Sequence, residues 1–255
     1  RVTYETFPLT AENDFLPDLD AIPEETARRA KFIYINYPNN PTGAVATKAF
    51  YEKLVAWAKT YEVGVVSDLA YGALGYRGYE NPSFLSTPGA KDVGIEFYTF
   101  SKTFNMAGWR LAFAAGNDQM IEALNLIQDH LFVGIFPALQ EAGIAALLDP
   151  KSEEAVAQLN ATYDSRRDAF VQAAAKIGWQ AFPSRGSFYA WMPVPEGYTS
   201  ESFADLLLEK AHVAVAPGKG FGPAGDAYVR IGLLVEPERL VEAVNRIANL
   251  HLFNN

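Results

Sequence analysis

Lys31-Phe-Ile-Tyr-Ile-Asn-Tyr-Pro-Asn-Asn-Pro-Thr-Gly43 reads as a short β-branched and aromatic run stopped by a dense cluster of turn residues. An apolar run of this length with such a stop predicts a buried strand that ends in a polar loop. Residues 47–61 then carry Phe50, Leu54, Val55 and Ala58 at helical spacing, with Thr47 placed to cap the helix. Val63-Gly-Val-Val-Ser67 predicts a second buried strand ending on Asp68, and Gly94-Ile-Glu-Phe-Tyr-Thr-Phe100 a third ending on Ser101-Lys102. Leu111–Ala115 predicts a short fourth. Strand–helix–strand alternation implies parallel strands joined by crossover helices, the α/β class.

Further along, helices are expected at 118–129, 137–149 and 152–176. The pattern then changes to strands at Ser187–Met192, His212–Ala216 and Tyr228–Leu234, interleaved with helices at 200–210 and 237–252. This divides the chain into residues 1–165, part of a large domain with a mostly parallel sheet, and residues 166–255, a smaller α+β domain hinged on the long helix.

Composition removes several function classes. The 255 residues are 49% apolar and 20% charged, ordinary for a globular protein, with a net charge of −9 that disfavours a nucleic-acid or anionic-membrane surface. With no cysteine, thiol catalysis and zinc–thiolate sites are excluded, and three scattered histidines leave no ligand spacing for a histidine metal site. No apolar run approaches the ~20 residues of a bilayer span, so a cytoplasmic enzyme is expected.

In an open parallel sheet, ligands sit beyond the carboxyl ends of the strands. Three such ends here carry different chemistry: Asn36, Asn39 and Asn40; Asp68 with Tyr71; and Ser101-Lys102. Asn and Asp in such places commonly cap the following helix, and a lysine ordinarily reaches out to solvent. A lysine at the end of a buried strand, beside a carboxylate and Arg110, instead suggests a nucleophilic amine of the kind that forms Schiff bases with carbonyl compounds, pyridoxal phosphate (PLP) included. PLP would need an anion at its ring nitrogen, which Asp68 supplies. Arg110, Thr99 and Ser101 supply phosphate donors, and Asn40 and Tyr71 supply hydrogen bonds beside the phenolic oxygen.

These residues also carry a resemblance. Asn36-Tyr-Pro-Asn-Asn-Pro-Thr-Gly43, Ser67-Asp-Leu-Ala-Tyr71, Ser101-Lys-Thr-Phe-Asn-Met-Ala-Gly-Trp-Arg110 and Tyr228-Val-Arg-Ile-Gly232 match, in order, motifs of the class I/II aminotransferases, the fold-type I PLP family that includes aspartate aminotransferase. The resemblance implies that Lys102 forms the Schiff base and Asp68 pairs with the pyridine nitrogen. It places Asn40 and Tyr71 on the phenolic oxygen, Thr99, Ser101 and Arg110 on the phosphate, and Arg230 on the substrate α-carboxylate. The other reading of Arg230 is a surface ion pair, but Tyr-Val-Arg-Ile-Gly-Leu-Leu is too apolar a setting for a solvated charge.

Further implications are transamination between an L-amino acid and a 2-oxo acid, and a homodimer. Gln128-Asp-His-Leu-Phe-Val-Gly-Ile-Phe136 resembles the aminotransferase A / N-acetyl-diaminopimelate aminotransferase branch. Phe132 and Phe136 read as core residues, although related enzymes line the substrate pocket across the dimer interface at this place. Roughly the first third of the usual family chain has no counterpart before Arg1, so the sequence is expected to be a fragment. Two other readings keep the same fold: a PLP-dependent β-lyase cleaving C–S bonds, and a non-enzymatic PLP-binding effector module. The latter would need a basic DNA-binding arm, which the sequence lacks. Gly220-Phe-Gly-Pro-Ala-Gly225 satisfies G-x-G-x-x-G, but Pro223 and the strand after it predict a plain loop.

Overall fold

A computed structural model describes residues 3–253. Its first sheet contains β1 (Phe32–Asn36), β2 (Gly64–Asp68), β3 (Gly94–Thr99) and β4 (Ala112–Gly116), in the order β1-β2-β3-β4. Its second contains β5 (Tyr189–Pro193), β6 (Ala216–Pro217) and β7 (Tyr228–Gly232), with β7 central. Around them lie α1 (Glu24–Arg29), α2 (Lys48–Tyr61), α3 (Ala90–Val93), α4 (Phe100–Thr103), α5 (Asp118–Leu131), α6 (Pro137–Leu148), α7 (Ser152–Lys176), α8 (Ser200–Leu206) and α9 (Pro237–Ala248).

Thr47 caps α2 as expected, its side chain accepting from the Phe50 N–H at 3.1 Å, a contact worth about 1 kcal/mol. Phe50, Tyr51, Leu54, Val55 and Ala58 bury one face of α2 against Ile33, Ile35 and Val65 of the first sheet. Each large apolar side chain buried there contributes about 1.5–3 kcal/mol. Strand β3 also carries a buried carboxylate. Glu96 accepts from Ser67 Oγ at 3.0 Å, Ser83 Oγ at 2.5 Å and the Phe84 N–H at 2.8 Å, so the loop before α3 is tied to the sheet by a satisfied charge.

Several expectations are corrected. β3 and β4 pair antiparallel, because the 12 residues between them fold as two tight helical turns and return the chain to the adjacent edge instead of crossing over. The sheet remains parallel through β1, β2 and β3. β1 is buried on one face only: Phe32 and Tyr34 are each 61% exposed, while Ile33 and Ile35 are buried. The strand expected at His212–Ala216 shrinks to Ala216–Pro217, since His212 adopts a left-handed conformation that ends a π-helical turn over Leu207–Ala211. That turn also ends the helix expected to run from 200 to 210. Phe132 and Phe136 are 66% and 69% exposed, not core. The helix expected at 152–176 is α7 with the same bounds, and the boundary expected after residue 165 falls inside it.

The second sheet packs with α7, α8 and α9 around Phe170, Trp179, Met192, Phe203, Val229, Leu240 and Val244. Helix α7 also grips the loop that follows β2. Asn160 Nδ2 donates to the Ala73 carbonyl at 2.8 Å, the Arg77 N–H donates to the Asp164 carboxylate at 3.0 Å, and the Arg167 guanidinium lies over the Tyr76 ring at 4.5 Å. Tyr71 is thereby held between a strand end and the helix that reaches the second sheet.

The uncovered apolar surface has a measurable consequence. Phe32 and Tyr34 on β1, Leu126, Leu131 and Phe132 around α5, and Leu148 on α6 are all exposed. Apolar exposure of this extent drives association. A polypeptide of these 255 residues alone should therefore be oligomeric or poorly soluble. Size-exclusion chromatography showing a stable monomer at high concentration would contradict this.

Candidate active site

The parallel register of β1 and β2 sets Asn36 directly beside Asp68, and Asp68 pairs in turn with Phe97, two residues before Thr99. Side chains alternate along a strand, so Asn36, Asp68 and Thr99 share one face at the carboxyl end of the sheet, the face opposite α2. The polar loop after β1 folds back on this edge. Asn36 Nδ2 donates to the Asp68 carbonyl at 2.9 Å, and Asn36 Oδ1 accepts from the Asn40 N–H at 2.9 Å. Asn39 is buried inside the turn, where its Oδ1 accepts from Thr42 Oγ1 at 2.8 Å. Asn36 and Asn39 thus shape the loop, and Asn40 is the one presented to the second sheet.

Asp68 is half-buried, and its Oδ2 accepts from the Tyr34 hydroxyl at 3.2 Å while Oδ1 accepts from the Ala70 N–H at 3.2 Å. Burial raises its pKa above the ordinary aspartate range, and the two hydrogen bonds oppose that shift in part. Tyr34 is pushed up to about 12, by burial first and by the Asp68 charge second. Tyr71 is buried. Its phenol is raised by burial and by the neighbouring Tyr189, with Arg230 opposing. Both phenols therefore remain donors at neutral pH.

Lys102 sits in the single helical turn α4, directly after β3. It is half-buried, and its Nζ lies 5.4 Å from the Phe188 ring centre and 6.0 Å from that of Tyr71. Among the described residues no carboxylate pairs with it. Two aromatic rings also flank it, because Phe188 packs edge-on to Tyr71 from the chain leading into β5. Thr99 Oγ1 accepts from the Ser101 N–H at 3.2 Å and donates to Ser101 Oγ at 2.9 Å, so both hydroxyls meet at the start of the turn. The Leu111 carbonyl accepts from the Phe100 N–H at 3.1 Å, which fixes Arg110 alongside. Arg110 is exposed, with a left-handed backbone (φ 55°) that costs a non-glycine about 1–2 kcal/mol, and its Nη1 donates to the Ala107 carbonyl at 3.0 Å.

Arg230 reaches this cluster from β7. Its Nη1 donates to Asn40 Oδ1 at 2.7 Å, and no carboxylate pairs with it among the described residues, so it is not the surface ion pair that a strand arginine could have made. The structure thus brings Asn40, Asp68, Tyr71, Lys102 and Arg230 to one edge, with Thr99, Ser101 and Arg110 beside them. Tyr34, Phe188 and Tyr189 belong to the same edge but do not stand out in the sequence. For Tyr34 a signal exists, since it lies two residues before Asn36 and shares its face.

The family model for aminotransferase class I and II matches residues 1–247. The chain belongs to that family. Its fold is the fold-type I, aspartate aminotransferase-like arrangement, and the family is PLP-dependent. Among relatives of the chain, the L-glutamine–4-(methylsulfanyl)-2-oxobutanoate aminotransferase of Bacillus subtilis strain 168 is 57% identical over 99% of the chain and 63% of the relative. The LL-diaminopimelate aminotransferase of Moorella thermoacetica is 50% identical over 94% and 61%. Substrate-bound BacF from Bacillus subtilis superimposes with a TM-score of 0.91 at 46% identity, covering 96% of this chain and 62% of that one. The chain therefore spans less than two thirds of the length of these relatives.

The residues present fit PLP. A half-buried carboxylate faces the sheet edge, an amine and a guanidinium there lack acidic partners among the described residues, and two hydroxyls with an arginine nearby are donors suited to an anion. Among the described residues no group of histidine and carboxylate side chains could hold a metal ion, and no helix is long and apolar enough to cross a membrane.

Proposed function

We propose that the protein carrying this chain is a transaminase that moves an amino group between an L-amino acid and a 2-oxo acid. Residues 1–165 would belong to its cofactor-binding domain and 166–255 to its smaller domain. The observation that carries this reading is Arg230, a half-buried guanidinium with no acidic partner among the described residues, fastened to Asn40 on the edge that holds Lys102. Such a group is ready for a carboxylate.

When bound, PLP supplies a reactive aldehyde carbon and a ring that withdraws electrons from the substrate Cα. Lys102 Nζ would be the nucleophile toward that carbon, and its amine would also serve as the base that takes and returns the substrate Cα proton. Asp68 would hold the proton on the ring nitrogen. Tyr71 and Asn40 Nδ2 would donate to the phenolic oxygen, while Thr99, Ser101 and Arg110 would bind the phosphate. Tyr34 keeps Asp68 in place. Since the substrate's own carboxylate neutralises Arg230, every α-amino acid gains the same contact there.

The reading includes a homodimer in the cytoplasm. L-Glutamine with 4-(methylsulfanyl)-2-oxobutanoate, the pair named for the 57% identical relative, is the first to try. Incubating the full-length protein and PLP with a panel of amino donors and 2-oxo acceptors tests it. Amino-group exchange between partners supports transamination. Release of pyruvate and ammonia from a sulfur amino acid supports the β-lyase instead, and PLP binding without turnover supports an effector module.

Arg230→Lys keeps the charge but loses the planar fork. KM for every amino donor should rise together, by about ten- to a hundredfold, with a smaller change in kcat. A rise confined to one donor would show that Arg230 reads the side chain and not the α-carboxylate.

A further inference from the structure

Arg230 touches two aromatic faces. Its guanidinium carbon lies 4.2 Å from the ring centre of Tyr189 and 4.8 Å from that of Phe221. The Tyr189 contact follows from register: Trp191 pairs with Arg230 across β5 and β7, so Tyr189, two residues away on the same face, is its diagonal neighbour. Phe221 comes from elsewhere, at the end of the helical turn Gly218–Phe221.

That turn is built to hold its place. A Cβ on Gly218 would lie 2.1 Å from the Gly225 carbonyl oxygen and 2.7 Å from the Trp191 ring, so the loop closes on itself where only glycine fits. The Lys219 N–H donates to Ser200 Oγ at 3.2 Å, and Ser200 Oγ donates to Asp226 at 2.7 Å. Lys219 Nζ pairs with Glu201 at 2.6 Å. Phe221 packs edge-on to Trp191 at 6.0 Å, yet it remains 41% exposed. A large ring left this open at the end of an anchored turn is poorly explained by core packing, and its inner face is given to a cation.

The chemistry explains why a ring serves here better than a carboxylate. An acid beside Arg230 would fix the guanidinium but neutralise it and compete with an incoming anion. Aromatic faces attract the cation through their quadrupole while leaving its hydrogen-bonding edge free. With one nitrogen already donating to Asn40, the group is held in orientation before ligand arrives, which reduces the entropy lost on binding.

We propose that Phe221 is a positioning residue for carboxylate recognition, holding Arg230 with Tyr189 so that its remaining edge faces the ligand. The identity of the anion as a substrate α-carboxylate rests on the transaminase reading; the hold on Arg230 does not. The test uses the full-length protein, with Phe221→Leu (apolar, no ring face) and Phe221→Tyr (ring face kept). Propionate, a carboxylate without an amine to react, is titrated calorimetrically into the PLP-loaded and the cofactor-free protein.

Phe221→Leu should raise the propionate Kd and the KM of every amino donor and 2-oxo acid together, by about tenfold, while kcat changes by less than about twofold. Phe221→Tyr should stay within about twofold of the parent on every measure. Three outcomes overturn the proposal: an unchanged propionate Kd in Phe221→Leu, equal impairment in both variants, or a parent protein that does not bind propionate. A parent that binds propionate with the expected Phe221 dependence but transaminates no donor would remove the functional reading and leave the positioning role standing.

Discussion

Full-length protein loaded with PLP should show a visible absorbance band that borohydride bleaches, and proteolysis should then place the reduced adduct on the peptide containing Lys102. Lys102→Ala should lose this chemistry and lower turnover by about 10⁴-fold or more, because one amine serves both as nucleophile and as base. The expectation rests on position. Lys102 is half-buried against the Tyr71 and Phe188 rings, with no carboxylate paired to it among the described residues. A lysine serving solubility would reach into solvent, and its removal would leave turnover nearly unchanged. An adduct on another residue, or a bleachable band in Lys102→Ala, would refute the assignment.

Asp68→Asn should bind PLP but slow turnover by about a hundredfold or more, the effect of losing a developed charge interaction worth at least ~3 kcal/mol. The cofactor-free variant makes a second, independent prediction. Burial raises the Asp68 pKa, so the folded chain holds a proton there at higher pH than the unfolded chain does. Ionised Asp68 therefore detracts from stability above its folded pKa, and the penalty fades as pH falls through that value. Near neutral pH, cofactor-free Asp68→Asn should melt at the same temperature as the parent or higher, although it is the poorer catalyst. A variant that melts well below the parent while slowing turnover less than about tenfold would show Asp68 to be only a structural hydrogen-bond acceptor.

The chemistry of the site was legible because each strand end announces itself. An apolar run stops abruptly on Asn36, Asp68 or Thr99-Phe-Ser-Lys102, and a parallel sheet gathers such ends on one edge. Arg230 stood out for the complementary reason, as a charge within an apolar strand. Tyr34, Phe188, Tyr189 and Phe221 were not legible, since aromatic residues in or beside strands look like core whether they pack on other apolar groups or on a cation. Phe132 and Phe136 show the same ambiguity from the other side, reading as core and lying exposed.

By itself, then, the sequence determined the α/β class, helix α2 with its Thr47 cap, helix α7, and the residue types of the candidate site. These follow from local periodicity, turn chemistry and the placement of charge within apolar runs, all properties of neighbours along the chain. Only the tertiary structure decided that β4 returns antiparallel, that one face of β1 is open, and that Arg230 meets Asn40 across 190 residues. It also decided that Lys102 lies against the Tyr71 and Phe188 rings. Each of these depends on which distant surfaces meet, and apolar attraction is non-directional, so no local pattern encodes the partner.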